Sequence, residues 1–344
     1  MNLNNNRVIV RTDIIDPHVY LDIELQYKEL IEVLNSCGGY ALYQQIYKYY
    51  GEKTKGFREI KKLEELNLVN SEQYSNCKYV YLKYTALKYL KYRDVEVIES
   101  TYVNQNTPKP SFRPLFNSIY SFEHYLSTKD IINTELSIKV LRQFIEKVRH
   151  VLKVNRIPNI HLVKCEKDDF LAAMESKIKI LGERNGIYLV DIQDAPELQN
   201  TVLKFVWYDF NQVSEENTLL KTIRMISRFL NEFGVKNQLN CCKFSIEVFT
   251  PGEQRKQILE RLAAKALKTI ESRNEYHLKN TSAAKSKFIQ VVSGFAGVNY
   301  RVYADIEGYT RVSSRGDKEF QFAEGKTIER LEQLRQIIKG GEVD

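Results

Sequence analysis

The order of hydrophobic patterns in the first 95 residues constrains the fold of this chain more than any other feature. Apolar side chains recur at helical spacing in three successive segments that glycines separate, and an alternating pattern follows them. In chain order the predicted elements are helices over 21–34, 40–50 and 54–66, a strand at 68–69, a polar loop at 71–77, a strand at 78–84 and a helix at 85–92. The sequence therefore predicts helix, helix, turn, helix and a two-stranded hairpin.

This order resembles the winged helix-turn-helix superfamily. The string FREIKKLEELNLV resembles its recognition helix, and the polar loop with YVYLKYTALKYL resembles its wing. The resemblance covers residues 20–93 and implies an N-terminal DNA-binding domain over residues 1–95. The tyrosines, of which 11 lie between Tyr40 and Tyr92, fit core and wing packing better than base stacking.

Charge is segregated within this domain, although the whole chain has a net charge of only +7. Residues 48–62 contain six cations and two anions, residues 74–93 contain five cations and no anion, and residues 20–34 are acidic. Neutralisation of phosphates requires such an asymmetry. The predicted DNA contacts are Lys53, Lys55, Arg58, Lys61, Lys62, Lys78 and Lys83. A solvated helix face, or a winged helix that binds protein, would show similar residues.

A proline-containing segment marks the predicted domain boundary. Residues 104–114 hold three of the seven prolines, and proline disfavours helix both at its own position and at the preceding one. We therefore expect a linker over residues 96–120, between the domain at 1–95 and a second domain at 121–344.

The second domain alternates helical and strand patterns, which predict strands at 159–164 and 177–181 and, near its C-terminal end, a helix at 326–338. Residues 202–209 are almost continuously apolar, as in a buried central strand, and strand-helix-strand order continues on both sides. Thr250, Pro251 and Glu253 have the spacing of a capped helix start. The expected fold is thus α+β or α/β overall, with a mixed-sheet α/β domain that carries strands and a helix at its C-terminal end.

The combination resembles the replication-relaxation proteins of plasmids and conjugative elements. The segments that resemble this family are KFVWYDFNQ, NTLLKTIRMISRFLNEF and KFSIEVFTPGEQRKQILERL. The resemblance implies an accessory role in plasmid replication or in DNA relaxation before transfer. It also implies a sheet domain similar to a degenerate restriction-endonuclease fold.

Asp191 and Asp209, each at the end of a predicted strand, are the candidates for catalysis. A metal-dependent nuclease needs at least two converging carboxylates and usually a lysine, and no E-x-K or D-x-K triplet follows Asp191. Ordinary acids at strand ends are the favoured interpretation, so no catalysis is predicted. The five cysteines and five histidines lack metal-ligand spacing, and no nucleotide-binding glycine motif is present. No metal and no cofactor are therefore expected.

These observations predict a DNA-binding accessory protein of a mobile element, with double-stranded DNA as its partner. Its α/β domain would serve dimerisation, as a homodimer, or recruit replication or conjugation proteins. The alternatives are a transcription regulator with a ligand- or partner-binding α/β domain, and a degenerate nuclease. The N-terminal residues lack the apolar core of a signal peptide, and no stretch is long and apolar enough to span a membrane, so we expect a cytoplasmic protein.

Overall fold

A computed structural model describes most of the chain, in two compact units. The described residues are 15–74, 77–97, 112–154, 169–193, 195, 200–209, 216–237, 243–280 and 295–303. The first unit comprises those up to Ile131, and the second those from Ile132. The protein is mixed α+β, with helices followed by a mixed sheet of four strands.

The first unit combines short helices with a small antiparallel sheet. Its elements are α1 (Pro17–Asp22), a π-helical segment (Ile23–Tyr27), α2 (Lys28–Ser36), β1 (Tyr40–Leu42), α3 (Tyr43–Tyr50), α4 (Lys53–Glu65), β2 (Val69–Tyr74), β3 (Cys77–Leu82), α5 (Tyr84–Tyr92) and α6 (Phe112–Thr128). The sheet order is β1-β3-β2.

Two predictions for this sheet are wrong. Tyr40–Leu42, predicted as the start of a helix, is strand β1, which pairs with β3 through Tyr40 and Tyr81. The predicted polar loop at 71–77 belongs largely to the β2–β3 hairpin. The polar residues of this segment suggested a loop, but a polar residue such as Glu72 fits this sheet because it accepts hydrogen bonds from the Tyr79 and Tyr81 hydroxyls.

The predicted linker over 96–120 overlaps a helix. Residues 112–120 form the first half of α6, because Pro114 lies in the first turn, where its missing N–H breaks no helical hydrogen bond. Phe122 and Tyr125 of α6 are buried in the core of the first unit. The Ser118 hydroxyl accepts from the Tyr40 N–H at 2.9 Å. Helix α6 therefore packs with the residues that precede the predicted boundary.

The second unit packs helices on a four-stranded sheet. Its elements are α7 (Thr134–Val154), α8 (Asp169–Asn185), β4 (Ile187–Gln193), β5 (Val202–Tyr208), α9 (Glu216–Asn237), β6 (Lys243–Thr250), α10 (Glu253–Asn280) and β7 (Phe295–Val302). In the order β4-β5-β6-β7, the first pair is antiparallel and the other two pairs are parallel.

Residues 177–181, predicted as a strand, belong to helix α8. Met174, Ile178 and Leu181 recur at helical spacing and are all buried, so their burial requires a helix. The predicted strand at 159–164 and the predicted helix at 326–338 lie outside the described residues.

One face of the sheet holds the hydrophobic core of this unit. Alternate residues of β5, Leu203, Phe205 and Trp207, join a buried cluster with residues of α7, α8, α9 and α10. The opposite face carries two ion pairs, Lys204–Asp191 and Arg301–Glu247. No helix among the described residues is both long and apolar enough to cross a membrane.

Candidate nucleic-acid interface

Helix α4 is held against α3 by a tight turn and a close helix contact. Gly51 ends α3 with φ +76°, a conformation that favours glycine. Gly56 of α4 lies so close to Tyr47 that an added Cβ would be 2.8 Å from the Tyr47 Cα. Gly56, Ile60 and Leu63 form the buried face of α4. The opposite face of α4 therefore has a fixed orientation.

That exposed face carries the cations predicted to bind DNA. Successive residues of a helix are 100° apart, so Lys55, Arg58, Lys61 and Lys62 share the side of α4 opposite Ile60. Lys53 is exposed at the first position of the helix. None of Lys53, Lys55, Arg58 and Lys61 forms a salt bridge with a described residue. We call Lys55, Arg58, Lys61 and Lys62 the basic helix face; Lys53 is only about 20° from Ile60 around the helix and belongs to the helix start instead.

The start of α4 adds to this positive charge. A helix N-terminus has a partial positive charge and unpaired backbone N–H groups, which acidic side chains usually compensate. In α4 the first turn contains no acid but does contain Lys53 and Lys55, and the N-cap residue Glu52 makes no side-chain capping hydrogen bond. The start of α4 is therefore positive, with the carboxylate of Glu52 as the acid next to it in sequence.

The acids of the first unit are bound mainly by tyrosine hydroxyls. Tyr27 donates to Glu59 at 3.0 Å and Tyr89 donates to Glu24 at 3.0 Å. The other tyrosine-to-glutamate hydrogen bonds are those from Tyr20 to Glu24, from Tyr125 to Glu29, and from Tyr79 and Tyr81 to Glu72. Ser71 likewise donates to Glu64. These carboxylates thus have neutral donors, although Glu59 also forms an ion pair with Lys62 and Glu24 with Arg93.

The pKa shifts follow from this arrangement. Burial raises the pKa of the Glu59 carboxyl, but hydrogen bonds from Lys62 and Tyr27 outweigh burial and hold that pKa below its ordinary value. Burial, with the nearby Tyr81 and Glu72, raises the pKa of Tyr40 to about 12. Burial and the hydrogen bond to Glu72 raise the pKa of Tyr79 still further. Glu59 is thus ionised, and Tyr40 and Tyr79 are neutral, at physiological pH.

The remaining predicted contacts differ in their surroundings. Lys62 forms an ion pair with Glu59 at 3.0 Å, so it is only partly available. Lys78 is exposed on the β2–β3 hairpin, with its Nζ 6.0 Å from the Tyr43 ring centre. Lys83 lies at the base of the hairpin, where its Nζ donates to Asn67 Oδ1 at 2.5 Å. The structure therefore groups the cations of α4 but places Lys83 near the other end of that helix.

An exposed aromatic ring accompanies the cations. Phe57 is 41 % exposed, and Lys61 Nζ lies 4.9 Å from the centre of its ring. The Tyr50 ring lies beneath Lys55 at 5.8 Å. Such rings hold the apolar stems of the lysines and offer an apolar contact beside their charges.

Lys48, which adds to the positive charge of residues 48–62, has a structural partner. Its Nζ donates to Glu123 Oε1 at 2.6 Å, and that glutamate side chain is almost fully buried. Gln45 Nε2 donates to the other oxygen of Glu123 at 3.0 Å. This network connects α6 to α3. It could not be predicted from the sequence, because the partners are 75 or more residues apart.

The structure does not bring the two catalytic candidates together. Strands β4 and β5 are neighbours but antiparallel, and Asp191 faces Lys204, five residues before Asp209. At about 3.3 Å per residue the two aspartates are about 16 Å apart along the sheet, too far to share a metal ion. Asp191 forms an ion pair with Lys204, whose hydrogen bond lowers its pKa. No group of three potential metal ligands occurs among the described residues.

Asp209 has a structural partner that the sequence did not reveal. Arg255, near the start of α10, donates from Nε to Asp209 Oδ2 at 2.7 Å and from its terminal nitrogen to Oδ1 at 3.0 Å. Both side chains are buried. Arg255 is thus not available to bind an anion at the start of α10, and the pair instead fixes α10 to the end of β5.

Thr250 does not cap α10, contrary to the prediction, since its hydroxyl donates to the Gly252 carbonyl.

Cations on α9 form a second basic feature that sequence reasoning missed. The spacing of Lys221, Arg224 and Arg228 within an otherwise apolar helix was the available signal.

Comparison of the chain with protein-family models, with curated proteins and with solved structures found no match.

Proposed function

We propose that the first unit is a winged helix-turn-helix domain that binds duplex DNA, with α4 as its recognition helix and β2–β3 as its wing. The observation that carries the proposal is the basic helix face, whose Lys55, Arg58 and Lys61 form no salt bridge with a described residue, together with the positive N-terminus of α4 beside Lys53 and Lys55. Phosphate groups are the ligands that such an end attracts.

The order of elements supports the same proposal. Helix α2, strand β1, helices α3 and α4, and the β2–β3 hairpin follow one another as in a winged helix, and β1 completes the small sheet. The major groove of B-DNA is about 12 Å wide, and an α-helix with its side chains is 10–12 Å across. Arg58 and Phe57, both exposed, are suited to a guanine edge and a thymine methyl group.

A pair of charge-reversal variants tests the proposal. In Lys55→Glu/Arg58→Glu we expect loss of duplex binding, because two cations of the basic helix face become repulsive to phosphate. The matched control is Lys91→Glu/Lys129→Glu, which makes the same change in net charge at two exposed lysines outside α4. Fluorescence anisotropy with labelled duplex, at several salt concentrations, measures both. Equal affinities of the two variants would refute the proposal.

Within this class we propose an accessory role in replication or transfer of a mobile element, and this part depends on the resemblance alone. A transcription regulator would use the same domain. Sequencing of the DNA that co-purifies with the protein distinguishes the two roles. Origin or transfer-origin sequences support the accessory role, whereas enrichment of a promoter alone would refute it.

A further inference from the structure

Helix α9 of the second unit carries a row of cations on its exposed side. Lys221, Arg224 and Arg228 are exposed, while Ile223, Ile226 and Phe229 of the same helix are buried in the core. The row spans seven residues, or about 10 Å along the helix axis. No acid occurs between Leu219 and Leu230. The exposed face of this part of α9 is therefore purely cationic.

These three side chains have no ion-pair or hydrogen-bond partner among the residues that the structure describes. Other exposed cations of the same unit do have acidic partners. Examples are Arg142 with Glu175 at 2.6 Å, Lys204 with Asp191 at 2.8 Å and Arg301 with Glu247 at 2.9 Å. Arg142, Lys204 and Arg301 are thus neutralised by neighbouring acids, whereas the row on α9 is not.

The neighbouring helix α10 extends the positive surface. Both helices connect parallel strands of one sheet, so they run in the same direction, and they pack against each other. Arg224 and Arg261 each lie eight residues after the first residue of their helices, Glu216 and Glu253, and therefore at similar heights. Arg261 is exposed and also has no partner in the described part of the chain. Glu260 is the nearest acid in sequence.

From this geometry we infer that α9 and the adjacent part of α10 form a second contact surface for the phosphate backbone of duplex DNA. Like charges at i, i+3 and i+7 repel each other, and a polyanion removes that cost. Along one strand of B-DNA a phosphate recurs every 3.4 Å of helix axis, so the row matches about three phosphates. Arginine, which predominates here, binds phosphate in a bidentate manner.

The inference rests on the proposed function, because both surfaces would bind the same duplex or the same kind of ligand. The two proposals differ in the residues whose substitution should change the affinity for DNA, which lie on α4 for the proposed function and on α9 and α10 for the present inference. A surface for anionic lipid would need similar cations, so the experiment must include vesicles.

The test uses the full chain with Arg224→Ala/Arg228→Ala and, as the matched control, Arg142→Ala/Arg184→Ala on α7 and α8. We expect the α9 variant to weaken binding to a long duplex and to lower the slope of log affinity against log salt by about 2. The control should keep the parental slope. Circular dichroism confirms that both variants are folded, as expected for exposed residues.

The possible outcomes separate the two proposals. If the unaltered protein binds no duplex, the proposed function fails. If Lys55→Glu/Arg58→Glu abolishes binding but the α9 variant keeps the parental slope, only the present inference is overturned. An unchanged DNA slope with lost binding to phosphatidylserine vesicles would also overturn it, in favour of a lipid surface.

Discussion

Buried tyrosines, several of which donate hydrogen bonds to glutamates, make the first unit sensitive to alkaline pH. Tyr40 is buried, and its pKa rises from about 10 in the unfolded chain to about 12 in the folded one. A raised pKa contributes stability that is complete below pH 10 and is lost as the pH rises toward 12, because the unfolded chain releases the proton first. At pH 11 this loss is about one pKa unit, or about 1.4 kcal/mol for Tyr40.

Four further buried tyrosines shift in the same direction. They are Tyr27, Tyr79, Tyr89 and Tyr125. Five such groups sum to about 7 kcal/mol at pH 11, and halving the sum for solvent screening of their hydroxyls leaves about 3 kcal/mol. The whole stability of a domain is only about 5–15 kcal/mol. The first unit should therefore lose a large part of its stability between pH 8 and pH 11.

Urea unfolding at the two pH values measures this loss. With an m-value of about 2 kcal/mol/M, we expect the midpoint of the first unit to fall by about 1.5 M. Tyrosine absorbance reports mainly on the first unit, which contains most of the tyrosines, whereas the fluorescence of the single tryptophan, the buried Trp207, reports on the second unit. A midpoint that moves by less than about 0.3 M would refute the reasoning.

A carboxyl variant isolates the cause. Glu72→Gln removes the charge that raises the pKa values of Tyr40, Tyr79 and Tyr81, so the fall in stability between pH 8 and pH 11 should become smaller. Glu65→Gln is the matched control, because Glu65 is exposed on α4 and forms no hydrogen bond with a described residue. An equal pH dependence in both variants would count against the hydrogen bonds as its origin.

Two further predictions concern packing. Gly56→Ala should destabilise the first unit by about 1–3 kcal/mol, because the alanine Cβ would be 2.7 Å from Tyr47 Cδ1. This cost should exceed the gain from the better helix propensity of alanine. Urea unfolding measures the effect, and a gain in stability would contradict the prediction. Asp209→Asn should lower the free energy of unfolding of the second unit by about 3–5 kcal/mol, because it leaves the buried Arg255 without its counter-charge. The double change Asp209→Leu/Arg255→Met should recover most of that loss, and Trp207 fluorescence during urea unfolding measures both variants. A double variant as unstable as the single one would contradict the assigned role.

Sequence patterns predicted most helices of the first unit because each buries an apolar stripe of its own. They failed at β1, since Tyr40–Leu42 continues the apolar spacing of α3 and becomes a strand only through pairing with β3. They failed again at residues 177–181, where Ile178 and Ile180 alternate with lysines as in a strand, although Met174, Ile178 and Leu181 also have helical spacing. In both cases a tertiary contact decides between two local structures.

The candidate interface was predictable to the extent that its cations are close in sequence. The residues of α4 fall on one face because the helix period places them there, and the sequence shows that period directly. It was not predictable that Lys53, Lys55, Arg58 and Lys61 form no salt bridge with a described residue. One reason is that Glu59 of the same helix accepts a hydrogen bond from Tyr27, which is 32 residues away in sequence. The same distance in sequence concealed the pairs Lys48–Glu123 and Arg255–Asp209.

The abundance of tyrosine in the first unit therefore has an electrostatic role besides packing. A phenol hydroxyl satisfies a carboxylate without adding positive charge, so tyrosines bind Glu29 and Glu72, and they share Glu24 with Arg93 and Glu59 with Lys62. If lysines held them instead, those lysines would be fixed next to acids and could not bind phosphate. The tyrosines thus allow a nearly balanced domain to keep its positive charge on one helix face, where a charged ligand can use it.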